Sequence, residues 1–196
     1  MRFYTGTMKQ GYFLLTVLLV CVGIYSCKKY TDAPATNDPR LNNPYCNDPK
    51  AVNYNWGFPG KEDNSVCFYP TDLFQGVYEL HDSVFFKTTG FFVSADTITL
   101  TIVRNSSTKM SVAGFCAAGG TLTMSAGTNF MATVDSLVGD STTIRGQYFC
   151  IGGDTVSGTF TKDRINDSII YVSLQVAADT GVTTNHIGTA KLKYRK

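Results

Sequence analysis

A chain of 196 residues allows one ordinary domain plus extra segments. Only 16% of the residues are charged, while Thr, Ser, Gly, Tyr and Phe are frequent; this suits a β-rich extracellular domain, because β-branched and aromatic side chains fit a pleated, half-buried surface. The formal net charge of +2 comes from Arg2 and Lys9, and from Cys27 onward acids and bases balance, which excludes long-range attraction to phosphate backbones and hence nucleic-acid binding.

Residues 1–10 are basic and lack acids, and Gly11 to Tyr25 is almost wholly apolar. This predicts a signal helix, since a spanning helix wants about 20 apolar residues. Ile24-Tyr25-Ser26-Cys27 follows and resembles the lipobox of bacterial lipoproteins, with Tyr25 bulkier than usual and the small Ser26 beside the scissile bond. Cys21 is the rival, but bulky Val20 precedes it. The resemblance implies cleavage after residue 26, lipid on Cys27, and a lipid-anchored place in the cell envelope, at the outer membrane of a Gram-negative bacterium. Which side of that membrane it faces is left open. Residues 27–44 then read as a polar tether with too few apolar side chains to pack.

Four cysteines remain, Cys46, Cys67, Cys116 and Cys150, an even number suited to an oxidising compartment. They permit three pairings, of which Cys46–Cys67 and Cys116–Cys150 are favoured. Phe115-Cys116 and Phe149-Cys150 both look like strand ends followed by glycine turns. Pairing them requires an even number of strand traversals between, whereas the simplest strand count is odd. Either residues 121–138 form one long bent strand, or this pairing fails.

Residues 45–71 read as a small disulfide-bounded module. Cys46, Asp48, Ala51, Asn53, Tyr54, Asn55, Asp63, Ser65, Cys67 and Tyr69 resemble a cysteine-bounded module common in envelope proteins of the Bacteroidota, which implies a compartment more than an activity. Tyr54, Trp56 and Phe58 are expected to cover the disulfide or the neighbouring domain. Asp48, Asn53, Asn55, Asp63 and Asn64 offer clustered oxygens of the type calcium prefers, set against the commoner role of Asn and Asp as turn formers.

From residue 72 to 196 the apolar period is two. Thr97 to Ile102 and Ser168 to Val176 alternate cleanly; weaker runs are 74–86, 91–95, 109–116, 121–126, 129–137, 142–150, 155–161 and 188–195, separated by Gly, Asn and Asp turns. The expected fold is all-β: an antiparallel up-and-down barrel of about eight strands, or a β-sandwich. Leu73-Phe74-Gln75-Gly76-Val77-Tyr78 resembles the opening Gly-x-Trp strand of lipocalins, with Tyr78 in place of tryptophan. The arginine that covers that ring in the family has no clear match, and Arg195 is a poor candidate.

Catalytic constellations are missing from the pattern. His81 and His186 are the only histidines, and neither has a partner at metal-ligand spacing. His81 and Asp82 should point to opposite faces of a strand. Ser106-Ser107-Thr108-Lys109 spells Ser-x-x-Lys but reads as a turn. Asp82, Asp96, Asp135, Asp140, Asp154, Asp163 and Asp167 mostly sit beside turns, and whether any two form a pair is a three-dimensional question. The expectation is a non-enzymatic, cofactor-free envelope lipoprotein. Its barrel would hold a small apolar ligand against Ile98, Leu100, Ile102, Val172 and Leu174. The alternative is a structural or interaction domain with a filled interior that meets glycans or partner proteins through its loops.

Overall fold

The computed structural model describes residues 38–116, 120–138, 143–144, 146–150 and 153–195. The chain divides into a unit ending at Asp38 and a compact unit from Pro39 onward. The expected signal helix, Cys21, Cys27 and most of the tether lie outside the described residues.

Two short parallel strands, β1 (Pro44–Tyr45) and β2 (Lys61–Glu62), lie within the disulfide-bounded module, whose Cys46 and Cys67 are bonded to each other. A 3-10 helix, Pro70–Leu73, leads into the barrel strands β3 (Gly76–Phe86), β4 (Phe92–Arg104), β5 (Lys109–Ala113), β6 (Thr121–Ala126) and β7 (Met131–Val134). A small hairpin, β8 (Leu137–Val138) and β9 (Thr143–Ile144), and the short β10 (Gln147–Tyr148) intervene before β11 (Thr155–Lys162), β12 (Ile169–Ala177) and β13 (Thr183–Tyr194). Strands β3 to β7 pair in order, β7 pairs with β11, and β11, β12, β13 and β3 complete the ring. The result is a closed eight-stranded antiparallel barrel, which decides for the barrel over the sandwich.

Period-two patterning makes the interior. Every barrel strand contributes inward residues to a buried interior, among them Leu80, Leu100, Ile102, Met110, Val112, Met124, Phe160, Ile170, Val172 and Ala190. The 3-10 helix sits against one end, here the floor. Thr71 Oγ1 donates to the carbonyls of Ser106 (2.8 Å) and Ser107 (3.2 Å) in the β4–β5 turn, and Leu73 and Phe74 join the core. Gly76 has φ +146°, and a Cβ there would stand 2.7 Å from a methyl of Leu192, so the glycine of the Gly-x-Tyr opening lets β3 lie close to β13.

Tyr78 has a cation beside it that the sequence did not point to. Lys162, at the end of β11, is buried and donates from Nζ to Tyr78 Oη at 3.2 Å, with Nζ 5.3 Å from the ring centroid. Asp167 Oδ1 lies 3.5 Å from the same ammonium, and Arg195 pairs with the other oxygen of Asp167. Arg195 therefore reaches the Tyr78 site at second hand.

Four expected strand assignments need correction. Runs 91–95 and 97–102 are one strand, β4, because Asp96 continues the alternation. The run 129–137 shortens to Met131–Val134, the last strand starts at Thr183 rather than 188, and 142–150 is not a traversing strand. This last difference resolves the parity of the second disulfide. Cys116–Cys150 forms, and only β6 and β7 traverse the barrel between its two ends. No long bent strand is needed. Where β7 stops short, the Gln147 amide takes its place: Thr123 N–H donates to Gln147 Oε1 at 2.9 Å, and Gln147 Nε2 donates to Thr123 O.

Burial pushes the Tyr78 hydroxyl up to about 12, whereas burial pulls the Lys162 ammonium down. Folded Tyr78 keeps its proton above pH 10 while the unfolded chain releases it. Its contribution is therefore complete below pH 10 and is lost as pH rises through 12. Lys162 has the opposite sign: the unfolded chain binds its proton more readily, so its cost fades as pH rises towards 10.5. Urea denaturation at pH 9 and pH 11 should show the wild type losing on the order of 1 kcal/mol more than Tyr78→Phe over that interval. Equal losses would refute the assignment.

Candidate functional site

Ile98, Leu100, Ile102, Val172 and Leu174 all face the barrel interior, as the alternation predicts. Leu100, Ile102, Val172 and Leu174 are members of the buried core, and Ile98 packs on it. The same interior holds Phe74, Tyr78, Phe160 and Lys162, all fully buried. A cavity of about 180 Å³ lies elsewhere, against the Cys116–Cys150 bridge, lined by Gly120, Thr121, Leu122, Tyr148 and Phe149. Ligand pockets commonly run to roughly 300–1,000 Å³.

Asp48, Asn53, Asp63 and Asn64, four of the five residues considered for calcium, bond other groups of the module. Asp48 Oδ1 accepts from Lys50 N–H (2.9 Å) and its Oδ2 from Tyr69 Oη (3.0 Å). The Lys50 N–H holds this carboxyl below the usual range, and Asp48 in turn pushes the Tyr69 hydroxyl up. Asn53 Oδ1 accepts from Phe68 N–H and its Nδ2 donates to Val66 O. Asp63 caps the 3-10 turn Asn64–Val66 by accepting from Ser65 N–H, and Asn64 Oδ1 accepts from Asn47 N–H. Asn55 supplies a left-handed residue at φ 58°. Among the described residues no three His, Cys, Asp or Glu side chains gather as a metal site.

These bonds, with the Cys46–Cys67 bridge, fix a loop whose aromatic side chains point outward. Trp56 and Phe58 are each 69% exposed and Tyr54 is also exposed, so they do not cover the disulfide or the barrel as expected. Phe58 is braced edge-on by Tyr45, with ring centroids 5.8 Å apart. The module is anchored to the barrel through Val52, which packs on the core, and through Tyr69, whose N–H donates to Asp72 Oδ2 at 2.8 Å and whose ring lies under Arg104, itself bonded to Asp72 Oδ1 at 2.7 Å.

The Ser-x-x-Lys spelling is a turn. Ser106 Oγ accepts from the N–H groups of Thr108 and Lys109, while Lys109 Nζ reaches Ser125 and Asp135 on the outer surface. His81 is exposed beside Thr97 and Glu79. Asp82 faces inward, and its partner is His186 on β13, with Nδ1 2.6 Å from Oδ2. Sequence reasoning missed this pair. The available signal was that Asp82 shares the alternation of Tyr78, Leu80 and Val84.

No protein-family model matches this chain, and no curated protein matches it. Among solved structures, the chain is similar to EF1p2_mFAP2b bound to DFHBI, with TM-score 0.41 and 11% identity over 63% of this chain and 97% of that one. It is also similar to a protein of unknown function from the DUF3598 family of Nostoc punctiforme, with TM-score 0.40 and 8% identity over 62% of this chain and 48% of that one. A third, of unknown function from Bacteroides ovatus, has TM-score 0.34 and 12% identity over 60% of this chain and 41% of that one. The chain thus spans less than half the length of the latter two.

Trp56 is the only tryptophan, which makes it a clean reporter. Its fluorescence in the native protein should peak near the wavelength of indole in water and be quenched by iodide almost as strongly as after unfolding. A blue-shifted, protected emission would contradict the outward-facing module.

Proposed function

We propose that this chain is a non-enzymatic, lipid-anchored envelope protein that uses a filled barrel as a rigid scaffold and the aromatic face of its disulfide-bounded module as a contact surface. Trp56 and Phe58 carry the reading, because large aromatic rings held exposed on a bonded loop gain area on contact and lose little freedom. Their loop is pre-ordered by the 46–67 bridge and by Asp48, Asn53 and Asp63, which lowers the cost of association. The partner is a glycan or another envelope protein. The lipobox-like sequence before Cys27 supports membrane anchorage, and two disulfides accord with an extracytoplasmic compartment. A ligand at the level of Leu100, Ile102, Val172 and Leu174 would have to displace side chains that are already packed.

The test is made in the host's own envelope. A photo-reactive phenylalanine at position 58 should cross-link to a discrete partner. Trp56→Ala should weaken that partner's binding by at least about tenfold without changing the barrel's circular dichroism. A cross-link pattern no different from that of the same label at Ile187, exposed on β13, would overturn the reading. Cys27→Ala should release the protein from membranes, and retention of the variant would refute the anchor.

A further inference from the structure

The end of the barrel opposite the 3-10 helix holds a polar arrangement that the contact surface does not use. Asp82 on β3 and Asp96 on β4 are direct cross-strand partners, so both carboxylates stand on the inner face, one step beyond the Leu80 and Ile98 pair. Like charges placed directly opposite one another destabilise a strand pair. Asp82 is 3% exposed, and its Oδ2 is held by His186, but its Oδ1 is buried without a hydrogen-bond partner. Asp96 is exposed and forms no hydrogen bond or ion pair among the described residues. Among the described residues, the inward neighbours of this group on the adjoining strands include Val84, Ser94, Leu174, Val176 and Thr184, and none of these is cationic. One histidine thus serves two opposed carboxylates by pairing with Asp82 alone; Asp82 keeps a buried, unfilled acceptor, and Asp96 is exposed to solvent.

We propose that this is a binding site for a small ligand bearing an ammonium group on an apolar body. An ammonium supplies both what the site lacks, positive charge and several N–H donors, and what Asp82 Oδ1 lacks, a hydrogen-bond donor. The apolar part of such a ligand meets Val84 and Ile98, which flank the carboxylates along their own strands. A metal ion fits less well, since no metal-ligand group of three is present among the described residues. This site is independent of the aromatic module, and either can fail without the other.

The test uses the full chain in detergent, with phenethylamine as probe and 2-phenylethanol as its uncharged counterpart. The ring resonances of the two histidines are read by NMR. Phenethylamine should shift His186 saturably and leave His81 unmoved, and 2-phenylethanol should do neither. Asp96→Asn, which leaves the Asp82–His186 pair intact, should weaken amine binding at least tenfold; Asp82→Asn should abolish it if that variant folds. Equal responses to amine and alcohol, unchanged affinity in Asp96→Asn, or no saturable shift at millimolar phenethylamine would overturn the proposal.

Discussion

Closure of the sheet rests on three residue pairs, Met131↔Thr161, Ala132↔Phe160 and Thr133↔Thr159, between the shortest barrel strand and β11. Without that seam the nine-stranded sheet would have two bare edges and an interior open to water. The chain reinforces it with groups that are not barrel strands. Below it, Lys162 N–H donates to Phe130 O. Above it, β10 continues along β11, Gln147 bonds the backbone of Thr123 with its side-chain amide, and the Cys116–Cys150 bridge joins the two banks covalently. Phe115, Phe149 and Phe160 pack together beneath that bridge. A covalent bond and a side-chain amide thus stand where a longer β7 would otherwise run.

The half of the barrel formed by β12, β13, β3 and β4 was the more legible half, although β4 read as two runs and β13 as starting at residue 188. Its strands are long, and Ile170, Val172, Leu174 and Val176 announce their inner face by alternation alone. Pairing of Cys46 with Cys67 was legible too, because the segment they bound has little else to close it. The half around the seam was not. Runs 129–137 and 142–150 carry strand-like composition, but which of them pairs with β11 depends on contacts between residues nearly thirty positions apart. Lys162 was hidden for a related reason: a lysine ending a strand reads as solvated until Tyr78, 84 positions earlier, is placed opposite its ammonium.

The same distance in sequence hid Asp82 and His186, which lie 104 residues apart and meet only because β13 pairs with β3. The adjacent His81-Asp82 pair drew attention first, yet adjacency on a strand separates side chains. Conversely, the aromatic side chains of the module looked like material for burial. Their exposure follows from local bonding: Asn53 and Asp63 spend their side chains on backbone groups, so the loop holds its shape without folding its rings inward.

Uneven construction also sets where the chain tolerates changes in length. Along β12, β13, β3 and β4, one inserted residue would turn every following side chain to the opposite face, exchanging Leu174 or Leu100 for solvent-facing Ser173 or Thr99. Between β7 and β11 the attachments to the far bank beyond Asp135 are, among the described residues, Gln147, Phe149 and Cys150. Segments of different length there can still meet those three attachments. Homologous chains that differ in size would therefore be expected to differ in this excursion, while keeping the count of residues in the long strands unchanged.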